Sequence, residues 1–190
     1  MGSRGVVGGW VLLFLALALL LLPLNWVFAA ILAAVIHELC HYAVVRLCGG
    51  EVRRLWVGLT GAQMEVRRLT PGKELLCALA GPAGGLALLL VVRWFPRTAV
   101  CGGLHALFNL LPVYPLDGGR ALRCGAELLL PMDIGDKVCT AVEWVCLISV
   151  LLLGTYGTVA LHLGLFPMIL SLSLVIRAFR GKIPCKPVSY

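Results

Sequence analysis

The chain has 190 residues, of which 61% are hydrophobic and 13% charged, and its mean hydropathy is +0.98. An average soluble domain is about 45–50% apolar and about 25% charged, so this composition excludes a soluble globule and a disordered chain. The net charge of +7 comes from 16 Lys and Arg residues against 9 Asp and Glu residues, and by itself it fits either nucleic acid or a cytoplasmic membrane face. The long apolar runs favour the lipid bilayer, and no nucleic acid partner is expected.

The apolar runs predict an all-α polytopic membrane protein with six transmembrane helices. A cleaved signal peptide is the alternative for the first run, which follows Arg4. We favour a retained span, because cleavage near Ala29 or Ala30 would remove the start of the next run. The predicted spans are 8–24, 26–47, 75–95, 98–116, 138–153 and 155–176.

The segment between the second and third spans is too charged to cross a bilayer. Its β-branched residues, around Gly58 and Gly61, predict a small membrane-surface β-hairpin over 51–68. We interpret 1–180 as a single integral-membrane domain, followed by a short cytoplasmic tail, 181–190.

The basic residues predict the orientation of the chain. If the N-terminus is cytoplasmic, all of the 16 Lys and Arg residues except Arg93 and Arg97 lie on the inner side, as the positive-inside rule requires. Both termini are therefore expected in the cytoplasm. The eight cysteines are scattered without a C-x-x-C pair, which is typical of small buried residues and not of a disulfide framework.

The second span contains three ionisable residues within five positions, in the run His37-Glu38-Leu39-Cys40-His41. Each costs roughly 2.5–3.5 kcal/mol at the centre of a transmembrane helix, so their presence indicates a function. Residues four apart project from one face of a helix, and both imidazoles can therefore reach one metal ion. The pattern is that of the H-E-x-x-H metallohydrolases, in which the glutamate is the general base. A structural polar cluster joining helices is the alternative.

A catalytic zinc site usually has three protein ligands, so a third is expected elsewhere. The candidates are His105, Asp117, Glu143 and His162. Both other histidines stand alone on apolar helices, where a hydrogen-bonded structural role is the more common one. Asp117 lies in a segment with two prolines and two glycines that must break the helix, and irregular backbone at membrane depth is tolerated where it is buried in protein or lines a wet cavity. A charge at the end of a span before a Gly-Gly turn is the alternative for this residue.

Together these residues resemble the site-2 proteases, which are intramembrane zinc metalloproteases. The resemblance rests on the H-E-x-x-H run and on the segment Asn109 to Gly119, which follows the family pattern N-x-x-P-x-x-P-L-D-G-G. Within the family the chain is most similar to the stage IV sporulation proteases, which process a pro-sigma factor. The resemblance implies zinc bound by His37, His41 and Asp117, with Glu38 as the general base. It also implies that Asn109 and Pro112 belong to the substrate cleft.

The chain departs from the family pattern in places. Cys40 stands where the family usually has glycine, and its thiol could compete for the metal or be oxidised. The third span has Gly81-Pro82-Ala83-Gly84-Gly85 where many relatives carry an Asn. We expect neither the nucleotide-sensing regulatory domain of the sporulation proteases nor the PDZ domain of other relatives.

The expected function is therefore hydrolysis of a peptide bond in or near the membrane segment of a substrate protein, in a bacterial cytoplasmic membrane. The resemblance suggests a pro-sigma factor pro-sequence, although relatives also cut other membrane proteins. The sequence leaves open whether a membrane partner inhibits the enzyme. Two other functions stay open: a zinc channel or carrier, and a non-catalytic relative that binds membrane helices.

Overall fold

The computed structural model describes residues 22–58, 61–67, 69–162 and 164–180, which form two compact units, Met1–Asn109 and Leu110–Tyr190. The predicted tail 181–190 and nearly all of the predicted span 8–24 lie outside the described residues. Three described stretches are long and apolar enough to cross a membrane, as an integral membrane protein requires: Leu24–Leu47, Pro71–Val91 and Met132–Val159. Six spans in total stays a prediction.

Within its described residues, 22–58, 61–67 and 69–109, the first unit contains three α-helices and two strands. In chain order they are α1 (Leu24–Leu47), β1 (Glu51–Gly58), β2 (Gly61–Arg67), α2 (Pro71–Ala87), which continues as a 3₁₀ turn over Leu88–Val91, and α3 (Pro96–Asn109). Proline at the first position of α2 is favourable because its missing N–H has no helical partner there. Helix α1 agrees with the predicted span 26–47 to within two residues at its start and ends at the predicted residue.

The three helices of the first unit pack on one another. Ala33, His37, His41 and Val45 are all buried on α1, and their four-residue spacing places them on one face of that helix. Helices α2 and α3 approach closely because both are glycine-rich: a Cβ atom on Gly85 would lie 2.8 Å from the backbone carbonyl oxygen of Gly102. Such small-residue contacts are typical of membrane helices, which pack without a hydrophobic driving force.

Strands β1 and β2 form an antiparallel pair in the segment where the hairpin is predicted. The register runs from Glu51 opposite Arg67 to Gly58 opposite Gly61, with a bulge between Val52 and Arg54. The location of this pair at a membrane surface stays a prediction.

The second unit contains α4 (Asp117–Leu129), α5 (Met132–Val159) and α6 (Phe166–Arg180). Helix α5 packs against both of the others. Gly154 allows α5 and α6 to approach, since a Cβ there would lie 2.9 Å from the carbonyl oxygen of Pro167.

The predicted boundary between the spans 138–153 and 155–176 is wrong, because α5 continues through it to Val159. Gly154 is used for packing and does not end the helix. The hydroxyl of Thr155 donates to the carbonyl of Leu151 within the helix, which allows a polar residue to stay at this point. The helix ends at Val159, and the backbone after it turns where His162 and Gly164 have positive φ angles of 51° and 76°.

Two further boundaries differ from the prediction. Helix α3 ends at Asn109, seven residues before the end of the predicted span 98–116, because Pro112 and Pro115 cannot continue it. The third span, predicted over 75–95, begins at Pro71 and ends as the 3₁₀ turn at Val91. Helix α4 begins at Asp117 and includes Gly118 and Gly119, where a Gly-Gly turn is the alternative that the sequence leaves open.

Candidate metal centre

His37 and His41 bring two ring nitrogens together on the buried face of α1. Their Nε2 atoms are 3.2 Å apart, and the rings meet edge to face with centroids separated by 4.8 Å. The residues are 2% and 7% exposed, so both imidazoles are removed from solvent and lipid. The four-residue spacing of the sequence therefore produces the predicted convergence.

The separation of the two nitrogens fits a shared zinc ion. Zinc binds histidine nitrogen at about 2.0–2.1 Å in tetrahedral geometry, so two such ligands lie about 3.3 Å apart. The donor set of two neutral imidazoles is also one that zinc prefers. Both the distance and the chemistry of the pair are thus compatible with the metal.

A backbone carbonyl determines which nitrogen of His41 is available. Nδ1 of His41 donates to the carbonyl oxygen of Cys77 on α2 at 2.7 Å. Because a carbonyl oxygen only accepts, Nδ1 carries the proton, and the lone pair of the neutral ring is on Nε2, the atom that faces His37. This is the usual arrangement of a metal-binding histidine, in which the second nitrogen is held by an outer hydrogen bond.

Two glycines of α2 make room beside the HExxH run. A Cβ atom on Gly81 would lie 2.7 Å from Nε2 of His37 and would also collide with Nε2 of His41. A Cβ on Gly84 would collide with the thiol of Cys40. The thiol of Cys40 is therefore packed against Gly84. The sequence offered a signal for these positions, the small-residue spacing in α2, but not their role.

His105 also lies in this region of the first unit. Its ring meets the ring of His37 edge to face, with centroids 4.6 Å apart. The side-chain amide of Asn109 donates to the backbone carbonyl of His105 at 3.0 Å, which caps the end of α3. The sequence predicts a structural role for His105 but carries no signal of its contact with His37.

Glu38 follows His37 on α1 and is half-buried. Consecutive helical residues are about 100° apart around the axis, so the carboxylate is adjacent to the buried histidine face and not within it. A general base needs this adjacency, because it must reach a water molecule without replacing a metal ligand.

Asp117 begins α4 in the second unit, directly after the loop that contains Pro112 and Pro115. An acidic residue in the first turn of a helix is stabilised by the helix dipole. The two glycines that follow let the loop fold over this turn: a Cβ on Gly118 would collide with the backbone carbonyl of Leu110, and one on Gly119 would lie 2.5 Å from the backbone nitrogen of Tyr114.

The other two ligand candidates also lie in the second unit. The carboxylate of Glu143 on α5 accepts a hydrogen bond from the backbone N–H of Tyr114 and lies near Arg123. His162 lies between α5 and α6 in the left-handed backbone conformation.

No protein-family model matches the chain. Curated relatives named zinc metalloproteases match about half of it. A Synechocystis protein is 37% identical over 112 residues, which are 50% of this chain and 29% of that protein. A Mycobacterium tuberculosis protein is 36% identical over 110 residues (46% of this chain, 27% of that protein), and a Methanocaldococcus jannaschii protein is 30% identical over 105 residues (48% of this chain, 31% of that protein). The chain thus spans less than a third of the length of these relatives.

A solved structure is similar over the whole chain. The site-2 protease from Methanocaldococcus jannaschii covers 100% of this chain and 98% of its own, with a TM-score of 0.66 and 18% sequence identity. At this identity the likeness establishes the fold. The chain therefore has the fold of a site-2 protease, and its sequence is similar to that of zinc metalloproteases.

Proposed function

We propose that this protein is an intramembrane zinc metalloprotease of the site-2 type. The observation that carries the proposal is the buried pair His37 and His41, whose Nε2 atoms are 3.2 Å apart on a helix of membrane-spanning length. The fold of a site-2 protease and the similarity to named zinc metalloproteases support it.

The proposed zinc ligands are two imidazoles and one carboxylate, from His37, His41 and Asp117. Three protein ligands leave a coordination position for water or substrate, as catalytic zinc sites require. A zinc ion held by these three residues would supply Lewis-acid chemistry to a bound water or carbonyl oxygen.

Glu38 is the proposed general base. Its carboxylate accepts a proton from the attacking water as the water oxygen bonds to the carbonyl carbon, and it then donates that proton to the nitrogen of the breaking C–N bond. One water molecule is consumed, and the products are a carboxylate and an amine. The burial of His37 and His41 excludes bulk water from the ligand pair.

Asn109 and Pro112 are proposed to contact the substrate backbone. The amide of Asn109 donates through Nδ2 to the carbonyl of His105, and the same amide has a second N–H and a carbonyl oxygen with which it can bind a peptide. A helical substrate must unwind before attack, and the strand pair β1 and β2 could offer an edge for the unwound segment to join.

The proposed substrate is a membrane-associated protein, with the pro-sequence of a pro-sigma factor as the specific candidate. The bacterial cytoplasmic membrane is the proposed location. Both termini are placed in the cytoplasm, because this orientation puts every Lys and Arg except Arg93 and Arg97 on the inner side, as the positive-inside rule requires.

Co-expression with a candidate pro-sigma factor tests the proposal. Glu38→Gln should lower cleavage by about 10²-fold or more while zinc stays bound, because the amide cannot accept the proton. The measurements are the length of the substrate product and the zinc content of the purified protein.

Glu127→Gln is the matched control, since it makes the same chemical change at an exposed carboxylate on α4. It should cleave like the wild type. Cleavage by the Glu38→Gln variant at the wild-type rate would overturn the proposed mechanism.

A further inference from the structure

The loop between α3 and α4 places backbone polar groups in a largely apolar chain. Val113 is fully buried and Leu116 is 5% exposed, so parts of this loop are away from water. Each buried N–H needs a partner, most of all in a membrane protein. Two are satisfied inside the loop, where the N–H of Val113 donates to Leu111 and that of Leu116 donates to Val113.

The N–H of Tyr114 has a different partner. It donates at 3.1 Å to Oε1 of Glu143, which lies on α5, 29 residues further along the chain. Oε2 of the same carboxylate lies 3.7 Å from a guanidinium nitrogen of Arg123 on α4. Glu143 is 8% exposed, and a buried carboxylate is costly unless its oxygens are paired. Here each oxygen has a partner.

Arg123 closes this network. Its guanidinium group lies over the ring of Tyr114, with the central carbon 4.9 Å from the ring centroid. The three residues therefore join the loop, α4 and α5. Tyr114 precedes Asp117 by three residues, and the loop packs on the first turn of α4, where Gly119 accommodates the backbone of Tyr114. The backbone of Tyr114 therefore lies directly against the turn that carries Asp117.

We propose that Glu143 is a positioning residue for Asp117. It fixes the backbone of Tyr114 and the charge of Arg123, and through them the direction in which the first turn of α4 presents its carboxylate. This inference rests on the proposed function, in which Asp117 is a zinc ligand. Glu143 is therefore no longer a candidate for the third metal ligand, since its two carboxylate oxygens contact the N–H of Tyr114 in the loop and Arg123 on α4.

Metal binding by the full-length protein in lipid nanodiscs tests the proposal. The probes are Zn²⁺, measured by competition with a chelator, and Co²⁺, whose visible spectrum reports the ligand geometry. Glu143→Leu should weaken metal affinity by about 10- to 100-fold, as is usual when a group that orients a ligand is lost. The Co²⁺ spectrum should change as it does in Asp117→Ala, and helix content should stay at the wild-type level.

Glu143→Gln removes only one of the two contacts of Glu143, and it tests the positioning role even if the leucine variant fails to fold. Its amide oxygen can still accept from Tyr114 but cannot pair with the charge of Arg123, so its affinity should fall between those of the wild type and Asp117→Ala. Glu127→Gln, the exposed control on α4, should bind metal like the wild type. Wild-type affinity and an unchanged Co²⁺ spectrum in Glu143→Gln would overturn the positioning role.

Asp117→Ala separates this inference from the proposed function. If Asp117→Ala weakens binding and the Glu143 variants do not, only the positioning role fails. If Asp117→Ala leaves both metal affinity and the Co²⁺ spectrum unchanged, the proposed ligand set fails, and with it the inference.

Discussion

The two histidines and Asp117 are held by different kinds of structure. His37 and His41 are one helical turn apart on α1, so the regular backbone brings both rings to one face, where their Nε2 atoms are 3.2 Å apart. Asp117 begins a helix after an irregular loop, and that loop is held by Glu143 from α5 and by two glycines. A helix brings two proposed ligands to one face by its own geometry, and contacts from α2 only orient their rings, whereas a carboxylate beside a loop depends on distant parts of the sequence for its position.

This difference predicts how substitutions act. Changes at the histidine pair should act directly, by removing an imidazole or by pushing one aside. Changes around Asp117 should act indirectly, through the backbone that carries its carboxylate.

Loss of a histidine should have the largest effect. His41→Ala removes one ligand of the pair and the bond to the carbonyl of Cys77. The proposed proteolytic activity should fall by more than about 10²-fold, and the purified protein should lose zinc, because one imidazole and one carboxylate are fewer ligands than a catalytic zinc site uses. Zinc analysis and the cleavage assay measure both. A variant that keeps stoichiometric zinc would contradict the central role of the pair.

Gly81→Ala should be nearly as severe although it removes no ligand. The added methyl group would lie between α2 and both Nε2 atoms, so the rings must move. We expect metal affinity to fall by about 10- to 100-fold, which chelator competition measures. Unchanged affinity would mean that the imidazoles can turn away without losing the metal.

Gly118→Ala is the corresponding substitution in the second unit, next to Asp117. A Cβ there would collide with the backbone carbonyl of Leu110, and backbone cannot move aside as a flexible side chain can. We expect a loss of stability of about 1–3 kcal/mol from overpacking, together with weaker metal binding. Denaturant unfolding in mild detergent measures the first and chelator competition the second. Weaker metal binding with unchanged stability would show that only the direction of Asp117 was affected.

His105 tests whether support for the histidine pair comes from ring packing. His105→Phe keeps an aromatic ring against His37, whereas His105→Ala removes it. Edge-to-face ring pairs contribute about 0.5–1.5 kcal/mol, so alanine should weaken metal affinity by about 2- to 12-fold and phenylalanine by less. Equal losses in both variants would indicate that the nitrogen atoms of His105 matter more than its ring.

Gly125→Ala should have the smallest effect and is the matched control for the other two glycine substitutions. Nothing lies within 4 Å of a Cβ added at this position of α4. Because alanine is the better helix former, we expect stability to rise by about 0.5–1 kcal/mol with no change in metal affinity. A loss of metal binding in this variant would show that any substitution on α4 disturbs Asp117.

The helix that carries the histidines could be predicted from the sequence, and so could the break before Asp117. Both follow from local rules: the apolar length and four-residue spacing of α1, and the two prolines after Asn109. The end of α5 could not be predicted, because Gly154 reads as a helix breaker until its packing against α6 is known.

The contacts that orient the side chains of the site also could not be predicted from the sequence. The bond from His41 to the carbonyl of Cys77 joins residues 36 apart, and that from Tyr114 to Glu143 joins residues 29 apart. Such pairs depend on how helices pack, and no local pattern encodes them. Glu143 could be recognised as unusual in an apolar run, but its partners could not.

The acceptor for His41 belongs to the main chain, and every amino acid at position 77 would supply it. A point mutation can therefore replace the side chain of Cys77 without removing the hydrogen bond that selects the tautomer of His41. Position 77 should accept serine or alanine in a saturation library, and natural drift at this position should be benign as long as α2 keeps its backbone path.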